Sequence, residues 1–405
     1  MLSARPERLR DWDLNPERRL KIEGNLPLIR RLAKESTLML VPTHVSNLDS
    51  PMIGLALSLA GLPPFIYGAG LNLFSNSVMG WWMGRLGAYT VDRTKRAEMY
   101  KTVLKDYSVR CLTTRHHSLF FPGGTRSRSG AIEPGLKKGL LGTGLVAWQE
   151  MLQEGRKNPD VYVVPLTLSF QLVLEANTLI NDYLAEAGKQ RFIISDDEFA
   201  QPRRVAAFSQ RVLDLDSSLV ARFGQPLDLL GYPVPEDPER REAASKRRRR
   251  FVCDADGQVE WDAQRDRVYT NRLTDAIVGE YGRNATVMVT HAAAWAAWSC
   301  LEKAVNSKDI YRVVRAPAGR RHLQRHTYLE ELRRVIDQLR AGAEQGRWHL
   351  DLAATAEGVL DVALDRFGRY HRSRALAARG SYIVIEDPKL CLYYRNRLSF
   401  AGLEG

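Results

Sequence analysis

A histidine and an aspartate stand five residues apart in the stretch THVSNLDS, as His44 and Asp49. Neither a continuous helix nor a strand places two such side chains together, but a turn that leads into a helix can do so. If the turn brings the carboxylate to one ring nitrogen of His44, the other nitrogen is left to act as a general base. The alternative is a helix-capping cluster, with Ser46 or Asn47 as the N-cap, in which the histidine is incidental.

The second stretch whose residues could take part in binding or catalysis is FFPGGTRSRSG, which runs from Phe120 to Gly130. Backbone N–H groups of a glycine turn form an anion-binding nest, and guanidinium groups match phosphate oxygens with two parallel hydrogen bonds. The stretch therefore predicts a phosphate site, and the alternative is a solvated basic turn. Its candidate ligands are Gly124, Thr125, Arg126 and Arg128, and the hydroxyl groups of Ser127 and Ser129 are further candidate donors.

Two weaker signals follow apolar runs. In GAYTVDR, Arg93 ends a short strand pattern and is either a further phosphate ligand or an ion-pair partner of Asp92 or Asp106. In VVPLTLSF, Pro165 interrupts an apolar run, which favours an edge position or a bulge in a core strand over a chemical role.

Strand patterns alternate with helix patterns through the first 230 residues, and the four stretches fall where strands end. This alternation predicts an α/β fold with a mostly parallel central sheet flanked by helices, and such sheets bind ligands at the carboxyl ends of their strands. The strand patterns include TLMLV (Thr37–Val41), PPFIYGAG, GAYTVDR, HSLFFP, VYVVPLTLSF (Val161–Phe170) and SSLVARFGQPLDL. Helix periodicity begins at LPLIRRLAKES (Leu26–Ser36), and a mainly helical C-terminal region follows the charged, proline-rich segment Tyr232–Phe251.

Composition limits the classes of partner. The 405 residues contain 44% hydrophobic residues, as in ordinary globular proteins, and a formal net charge of +12 favours an anionic partner. No nucleic-acid-binding module is recognisable, so we expect no nucleic acid partner. The four cysteines form no C-x-x-C pair, which favours free thiols in a reducing compartment and no metal site.

The sequence predicts a protein that is soluble or at most peripheral on a membrane. The run MIGLALSLAGL is about half the roughly 20 residues that a spanning helix needs, and the N-terminus has no secretory pattern. We therefore expect a cytoplasmic location, with any membrane contact on the inner face of the cell membrane. The basic run SKRRRR (Ser245–Arg250) could contact anionic headgroups, and Trp81 and Trp82 could contact an acyl chain or an interface. A solvated charge run and core packing are the respective alternatives.

In order and spacing, the four stretches together resemble the glycerolipid acyltransferase superfamily, over roughly residues 38–230. VPTHVSNLD resembles its H-x-x-x-x-D block, which implies His44 as base and Asp49 as its partner. GAYTVDR and FFPGGTRSRSG resemble the next two blocks, which implies that Arg93 and Arg126 contact the phosphate of the acceptor. VVPLTLSF resembles the fourth block, and LCLYYRNRL (Leu390–Leu398) resembles the closing segment of the glycerol-3-phosphate and dihydroxyacetone-phosphate acyltransferases.

The resemblance implies transfer of a fatty acyl chain from acyl-CoA or acyl carrier protein to a hydroxyl of glycerol 3-phosphate or a related phosphorylated acceptor, in phospholipid biosynthesis. The thioester is a co-substrate, and no other cofactor is expected. The implied organisation is an N-terminal helical segment (1–35), a catalytic domain of glycerol-3-phosphate acyltransferase type (36–235) and a helical C-terminal domain (236–405).

One position departs from the family pattern. Where the third block has a glutamate that orients the acceptor, this chain has Gly123, and Glu133 stands ten residues too late for a simple substitution. Two alternatives therefore remain open: a catalytically impaired protein that binds lipid or phosphate, and an acyltransferase for a different alcohol that uses the room left by Gly123.

Overall fold

The computed structural model describes residues 20–71, 81, 84–85, 87–92, 94–95, 97–187, 219–369, 371 and 373–403. Within them, an eight-stranded sheet forms the centre of the molecule, with the order β1-β7-β6-β2-β5-β3-β4 and β8 paired with β6. Its strands are β1 (Leu20–Gly24), β2 (Thr37–Pro42), β3 (Ile66–Gly70), β4 (Ala88–Val91), β5 (Ser118–Leu119), β6 (Val161–Phe170), β7 (Leu219–Phe223) and β8 (Leu227–Asp228).

The predicted fold class is confirmed, because the five strands β6, β2, β5, β3 and β4 run parallel. β7 and β8 run antiparallel to β6, and β1 is parallel to β7. β1 is a strand that the sequence analysis did not predict, since the segment before residue 36 was expected to be helical. Parallel strands place their carboxyl ends on one edge, so the loops after β2, β4, β5 and β6 meet there.

The helices cover both faces of the sheet. They are α1 (Leu26–Glu35), α2 (Asp49–Leu59), α3 (Glu98–Thr113), α4 (Lys138–Gln153), α5 (Ala176–Ala187), α6 (Pro238–Arg249), α7 (Ala263–Arg283), α8 (Val289–Val305), α9 (Ile310–Val314), α10 (Arg325–Glu344), α11 (Ala356–Arg369) and α12 (Pro388–Asn396). Several begin at capping residues that the sequence makes visible; Asn25 accepts a hydrogen bond from Leu28 N–H before α1, and Asp387 caps α12.

The alternating side chains of β2 divide the interior into two cores. Leu38 and Leu40 pack on one face with α1 and α2, and Met39 and Val41 pack on the other with α3 and α4. All ten residues of β6 are buried, since helices cover this strand on both faces.

The C-terminal region shares these cores. α8, α10, α11 and α12 belong to the core that contains Leu38, and α7 belongs to the core that contains Met39. Short strands accompany these helices: β9 (Thr286–Met288), β10 (His322–Gln324), β11 (His349–Asp351), β12 (Ala377–Arg379) and β13 (Tyr382–Val384). The helices after residue 236 are therefore built onto the sheet, and they complete both of its faces.

Pro165 occupies an interior position of β6. Its register partner in β2 is Val41, and its carbonyl accepts a hydrogen bond from Gly224 N–H at 2.8 Å. On this side of β6 the partner strand β7 has ended and β8 has not yet begun, so no ladder hydrogen bond is lost where proline lacks its N–H.

The charged segment Tyr232–Phe251 contains the helix α6, and its basic run is divided between two environments. Arg248 is buried and contacts Asp160 at 2.9 Å and Asp228 at 3.4 Å, whereas Lys246, Arg247, Arg249 and Arg250 are exposed. None of the helices in the described part of the chain combines the length and the hydropathy that a membrane span requires.

Candidate active site

The predicted chemical residues meet at the carboxyl edge of the parallel strands. His44 follows β2, the stretch FFPGGTRSRSG follows β5, and Glu175 follows β6. Arg93, which follows β4, lies outside the described residues, as does Trp82. The edge thus collects one histidine, several carboxylates and two arginines from loops that are far apart in sequence.

The turn after β2 brings the Asp49 carboxylate to the ring of His44, with Nδ1 and Oδ2 2.8 Å apart. Asp49 is fully buried, and the same oxygen accepts hydrogen bonds from the N–H groups of Val45 at 2.6 Å and Ser46 at 3.0 Å. Asp49 is the first residue of α2 and Leu48 occupies the N-cap position, so neither Ser46 nor Asn47 is the cap. The carboxylate folds back over its own turn, and this fixes both the turn and the imidazole.

Three further contacts hold His44 in place. Its ring stacks on Phe121 with centroids 4.1 Å apart, its carbonyl accepts a hydrogen bond from Ser127 N–H at 2.8 Å, and its N–H donates to Glu133 Oε1 at 2.9 Å. The ring remains 13% exposed, and Nε2 has no hydrogen-bond partner within the described part of the chain. The histidine thus presents Nε2 outward from a fixed ring, which is the geometry a general base needs.

The glycine turn after β5 has, at one position, the left-handed backbone conformation that an anion nest requires. Gly124 lies in the left-handed region with φ +79°, and its N–H donates to Phe121 O at 3.0 Å. A Cβ at Gly124 would meet Lys137 Nζ at 2.5 Å, so a lysine amine lies directly over the turn. Thr125 is exposed beside it.

The two predicted arginines reach different carboxylates. Arg126 Nη1 lies 3.6 Å from Glu175 Oε1, and Arg128 Nη1 lies 2.7 Å from Glu186 Oε2. Glu186 is mostly exposed, and an exposed pair of this kind contributes about 0–1 kcal/mol. A phosphate dianion could therefore compete with that carboxylate for Arg128.

The serines of this stretch form hydrogen bonds to the backbone of their own loop. Ser127 Oγ donates to Ala131 O at 2.5 Å, and Ser129 Oγ accepts from Ala131 N–H at 3.2 Å. Their hydroxyl groups close the loop on itself, since short polar side chains readily hydrogen-bond to neighbouring backbone. The hydroxyl proton of Ser127 is therefore used within the loop, whereas the contact of Ser129 leaves its hydroxyl proton unassigned.

The expectation about Gly123 was wrong in its geometry. A Cβ at Gly123 would lie 2.9 Å from Glu133 Cγ and 3.0 Å from Glu133 Oε1. The loop returns by a hydrogen bond from Lys137 N–H to Pro122 O at 2.7 Å, and this return brings Glu133 back to the turn. Gly123 therefore leaves no empty room, and a separation of ten residues does not keep Glu133 away.

Glu175 is a residue of the site that the sequence analysis missed. It is 4% exposed and accepts hydrogen bonds from Ser46 Oγ at 2.9 Å and Asn47 N–H at 2.8 Å. Burial raises the pKa of this carboxyl, and the contacts with Asn47 and Arg126 oppose that shift. The sequence feature that could have indicated Glu175 is an acidic residue that follows a fully buried parallel strand, because the ends of such strands carry ligand-binding groups.

The C-terminal stretch YYRNR clamps the loop of the third motif. Asn396 Nδ2 donates to Ser129 O at 3.0 Å, and Arg397 donates to Gly130 O at 3.1 Å and to Leu168 O at 3.2 Å. Gly130 is in the left-handed region, and a Cβ there would lie 2.4 Å from Tyr393 O. The segment near the C-terminus thus sets the position of the arginine-bearing loop, about 270 residues earlier in the chain.

The chain is similar to known proteins. Residues 21–169, which contain the His44 turn and the arginine loop, match the family model described as Acyltransferase. This match supports the resemblance of the chain to the glycerolipid acyltransferase superfamily. Among the described residues, no group of three or more His, Cys, Asp or Glu side chains is arranged to bind a metal.

Curated relatives carry the name glycerol-3-phosphate acyltransferase. One from Pseudomonas fluorescens Pf-5 is 25% identical over 93% of this chain and 39% of its own length. Relatives from P. fluorescens SBW25 and P. putida W619 are 29% and 28% identical, over 53% and 55% of this chain and 24% and 25% of theirs. The chain thus spans about two fifths or less of the length of these relatives.

Among solved structures, the 1-acyl-sn-glycerophosphate acyltransferase PlsC of Thermotoga maritima is similar to 56% of this chain and 70% of its own. The identity is 17% and the TM-score is 0.30, which is too low to support a structural conclusion.

Proposed function

We propose that this chain transfers a fatty acyl group from a thioester, on coenzyme A or acyl carrier protein, to the hydroxyl of glycerol 3-phosphate or a related phosphorylated acceptor. The observation that carries the proposal is the buried Asp49 carboxylate 2.8 Å from His44 Nδ1, at the sheet edge that also carries the arginine loop. The family match and the names of the relatives support the same reaction class.

In the proposed reaction, His44 Nε2 takes the proton of the acceptor hydroxyl as its oxygen attacks the thioester carbonyl carbon. A carbon–oxygen bond forms and the carbon–sulfur bond breaks. The proton then passes from the imidazolium to the leaving thiolate. Asp49 keeps Nδ1 as the hydrogen-bonded nitrogen and stabilises the imidazolium while it exists. No cofactor beyond the thioester enters this scheme.

The acceptor phosphate would lie against Arg126 and Arg128, with Gly124 and Thr125 of the turn beside it. Arg93 is the remaining candidate phosphate ligand and is kept on the grounds of the sequence resemblance. Fixing the phosphate places the hydroxyl against the thioester, and such positioning supplies a large share of the rate of a two-substrate reaction. The exposed ion pair of Arg128 with Glu186 can be exchanged for the phosphate at little cost.

The test is thiol release from acyl-CoA, measured with and without glycerol 3-phosphate. We expect thiol release that depends on the acceptor. In His44→Ala, the rate of release should fall by at least about 1,000-fold. His322→Ala is the matched control, since His322 is exposed and belongs to β10, and it should retain wild-type rates. A His44→Ala protein that folds and turns over normally would refute the proposed base.

The same assay separates the two alternatives. A protein that only binds lipid or phosphate would release no thiol under any condition, and an enzyme for another alcohol would release thiol with that alcohol alone. No observation of the structure favours the second of these, because Glu133 occupies the space beside Gly123.

We also propose that the chain contacts anionic membranes at their surface. Four exposed basic residues of the SKRRRR run, Lys246, Arg247, Arg249 and Arg250, support this, and each can contribute about 1 kcal/mol near such a surface. The protein should cosediment with phosphatidylglycerol vesicles at low salt. Replacing these four basic residues by glutamine should prevent the cosedimentation. No binding at low salt would exclude the surface role.

A further inference from the structure

The space that a side chain at position 123 would occupy is filled by the side chain of Glu133. Glu133 Cγ and Oε1 lie 2.9 Å and 3.0 Å from where the Cβ of a residue at 123 would be. Gly123 itself is not in the left-handed region, so a side chain at 123 is excluded by Glu133 and not by the backbone. Glu133 can therefore occupy this space only because residue 123 is a glycine.

The Glu133 carboxylate contacts the backbone of the residue that carries the proposed base. Its Oε1 accepts the hydrogen bond from His44 N–H, and the side chain is partly covered by its surroundings. Desolvation raises the pKa of this carboxyl, while the contact with His44 N–H and the charge of Arg397 act in the opposite direction. The hydrogen bond from His44 N–H holds the carboxylate in one place and uses one of its acceptor sites.

The loop that delivers Glu133 is anchored at both ends and in the middle. Lys137 N–H bonds to Pro122 O, Ser127 N–H bonds to His44 O, and Arg397 holds Gly130 O. Because a loop with three anchors presents its side chains in a fixed way, the contact of Glu133 with His44 follows from the fold.

We propose that Glu133 supplies, from ten residues downstream, the carboxylate that the third motif lacks at position 123, and that it positions His44 and the acceptor hydroxyl. The inference rests on the proposed function, which it deepens: the site keeps an acidic group for a hydroxyl-bearing phosphorylated acceptor. Glu133 acts as a positioning residue through the turn of His44.

The test exchanges the two positions. Glu133→Ala should lower kcat/KM for glycerol 3-phosphate by about 100-fold, with the KM for acyl-CoA unchanged. Gly123→Glu alone should lower the same kcat/KM by a similar factor, because two carboxylates then compete for one space. The double variant Gly123→Glu with Glu133→Ala should recover to within about tenfold of the wild type, since the carboxylate is again single and in the same space.

The control variant combines Gly123→Glu with Glu154→Ala, which removes an exposed glutamate of a different loop and should not restore activity. A double variant no better than either single variant would overturn the inference. So would an equal rise in the KM values of both substrates in Glu133→Ala, because Glu133 would then act on the acyl donor as much as on the acceptor.

A second measurement keeps the inference separate from the proposed function. In thermal unfolding, Gly123→Glu should lower Tm in the presence of Glu133 and lower it much less in the Glu133→Ala background. Additive shifts would refute the placement of Glu133, whether or not the protein transfers acyl groups. Absence of turnover in the wild type combined with coupled Tm shifts would refute the proposed function and retain the placement.

Discussion

Replacing Asp49 by asparagine separates the charge of this residue from its hydrogen bonds. Asp49 Oδ2 accepts three hydrogen bonds, from His44 Nδ1 and from the N–H groups of Val45 and Ser46. Its Oδ1 is buried without a partner among the described residues. An asparagine can place its amide oxygen at the Oδ2 position and its NH₂ group at the Oδ1 position, so the turn keeps its three hydrogen bonds.

The expected loss in kcat of Asp49→Asn follows from the negative charge that asparagine lacks. A hydrogen bond to a charged group contributes about 1.5–3 kcal/mol and a neutral one about 0.5–1.5 kcal/mol. Stabilisation of the imidazolium, which forms only during the reaction, falls further without the carboxylate. A total of about 2–3 kcal/mol in the transition state corresponds to a loss in kcat of about 30- to 150-fold. The KM of the acyl donor should not change.

Asp49→Ala is the contrasting variant. It leaves two buried backbone N–H groups without acceptors, and each such group costs about 1–3 kcal/mol. We therefore expect the free energy of unfolding to fall by about 2–6 kcal/mol in Asp49→Ala. Asp49→Asn keeps the three hydrogen bonds and leaves only its NH₂ group without an acceptor, so the fall should be smaller, about 1–3 kcal/mol. Steady-state kinetics and urea unfolding measure the two effects. Full kcat in Asp49→Asn, or equal destabilisation by both variants, would refute this account of the site.

Three further predictions concern phosphate binding, the C-terminal clamp and pH. Arg126→Gln should raise the KM for glycerol 3-phosphate by about 10- to 100-fold through loss of a charge-assisted hydrogen bond, with the KM for acyl-CoA as the internal control; an unchanged acceptor KM would exclude phosphate contact. Arg397→Met should lower the urea midpoint, because the carbonyls of Gly130 and Leu168 lose their donors; a wild-type midpoint would contradict the clamp. Burial lowers the pKa of His117 to about 4, so stability present above pH 6.5 should be lost as the pH falls toward 4. His117→Asn keeps an acceptor for Leu38 N–H and should flatten the Tm–pH curve in that window; an unchanged slope would refute it.

The sequence predicted the elements whose pattern is local. The alternation of apolar runs and amphipathic periods indicated the sheet, and the order of the four stretches indicated the superfamily. Pairing of His44 with Asp49 was also accessible, since a five-residue turn is a local structure. β1 escaped prediction because Leu20–Gly24 becomes a strand by pairing with β7, about 200 residues later in the chain.

The sequence also misled at one position, for a physical reason. Spacing along the chain suggested that Glu133 was too far from Gly123, and the loop closure by Lys137 and Pro122 brings the two together. For the serines of the same loop, nothing local shows whether a hydroxyl bonds to a ligand or to Ala131, and the structure shows the contacts with Ala131.

By itself, the sequence determined which residue types are available for chemistry: a histidine with an aspartate five residues on, and two arginines beside a glycine turn. Only the tertiary structure decided which carboxylates surround them, since Glu133, Glu175 and the Arg397 clamp reach the site through contacts between distant segments. Local patterns arise from backbone geometry and hydrophobic periodicity, which neighbouring residues encode. The composition of a site at a sheet edge depends on how strands are ordered and loops are closed, and those are properties of the whole packed chain.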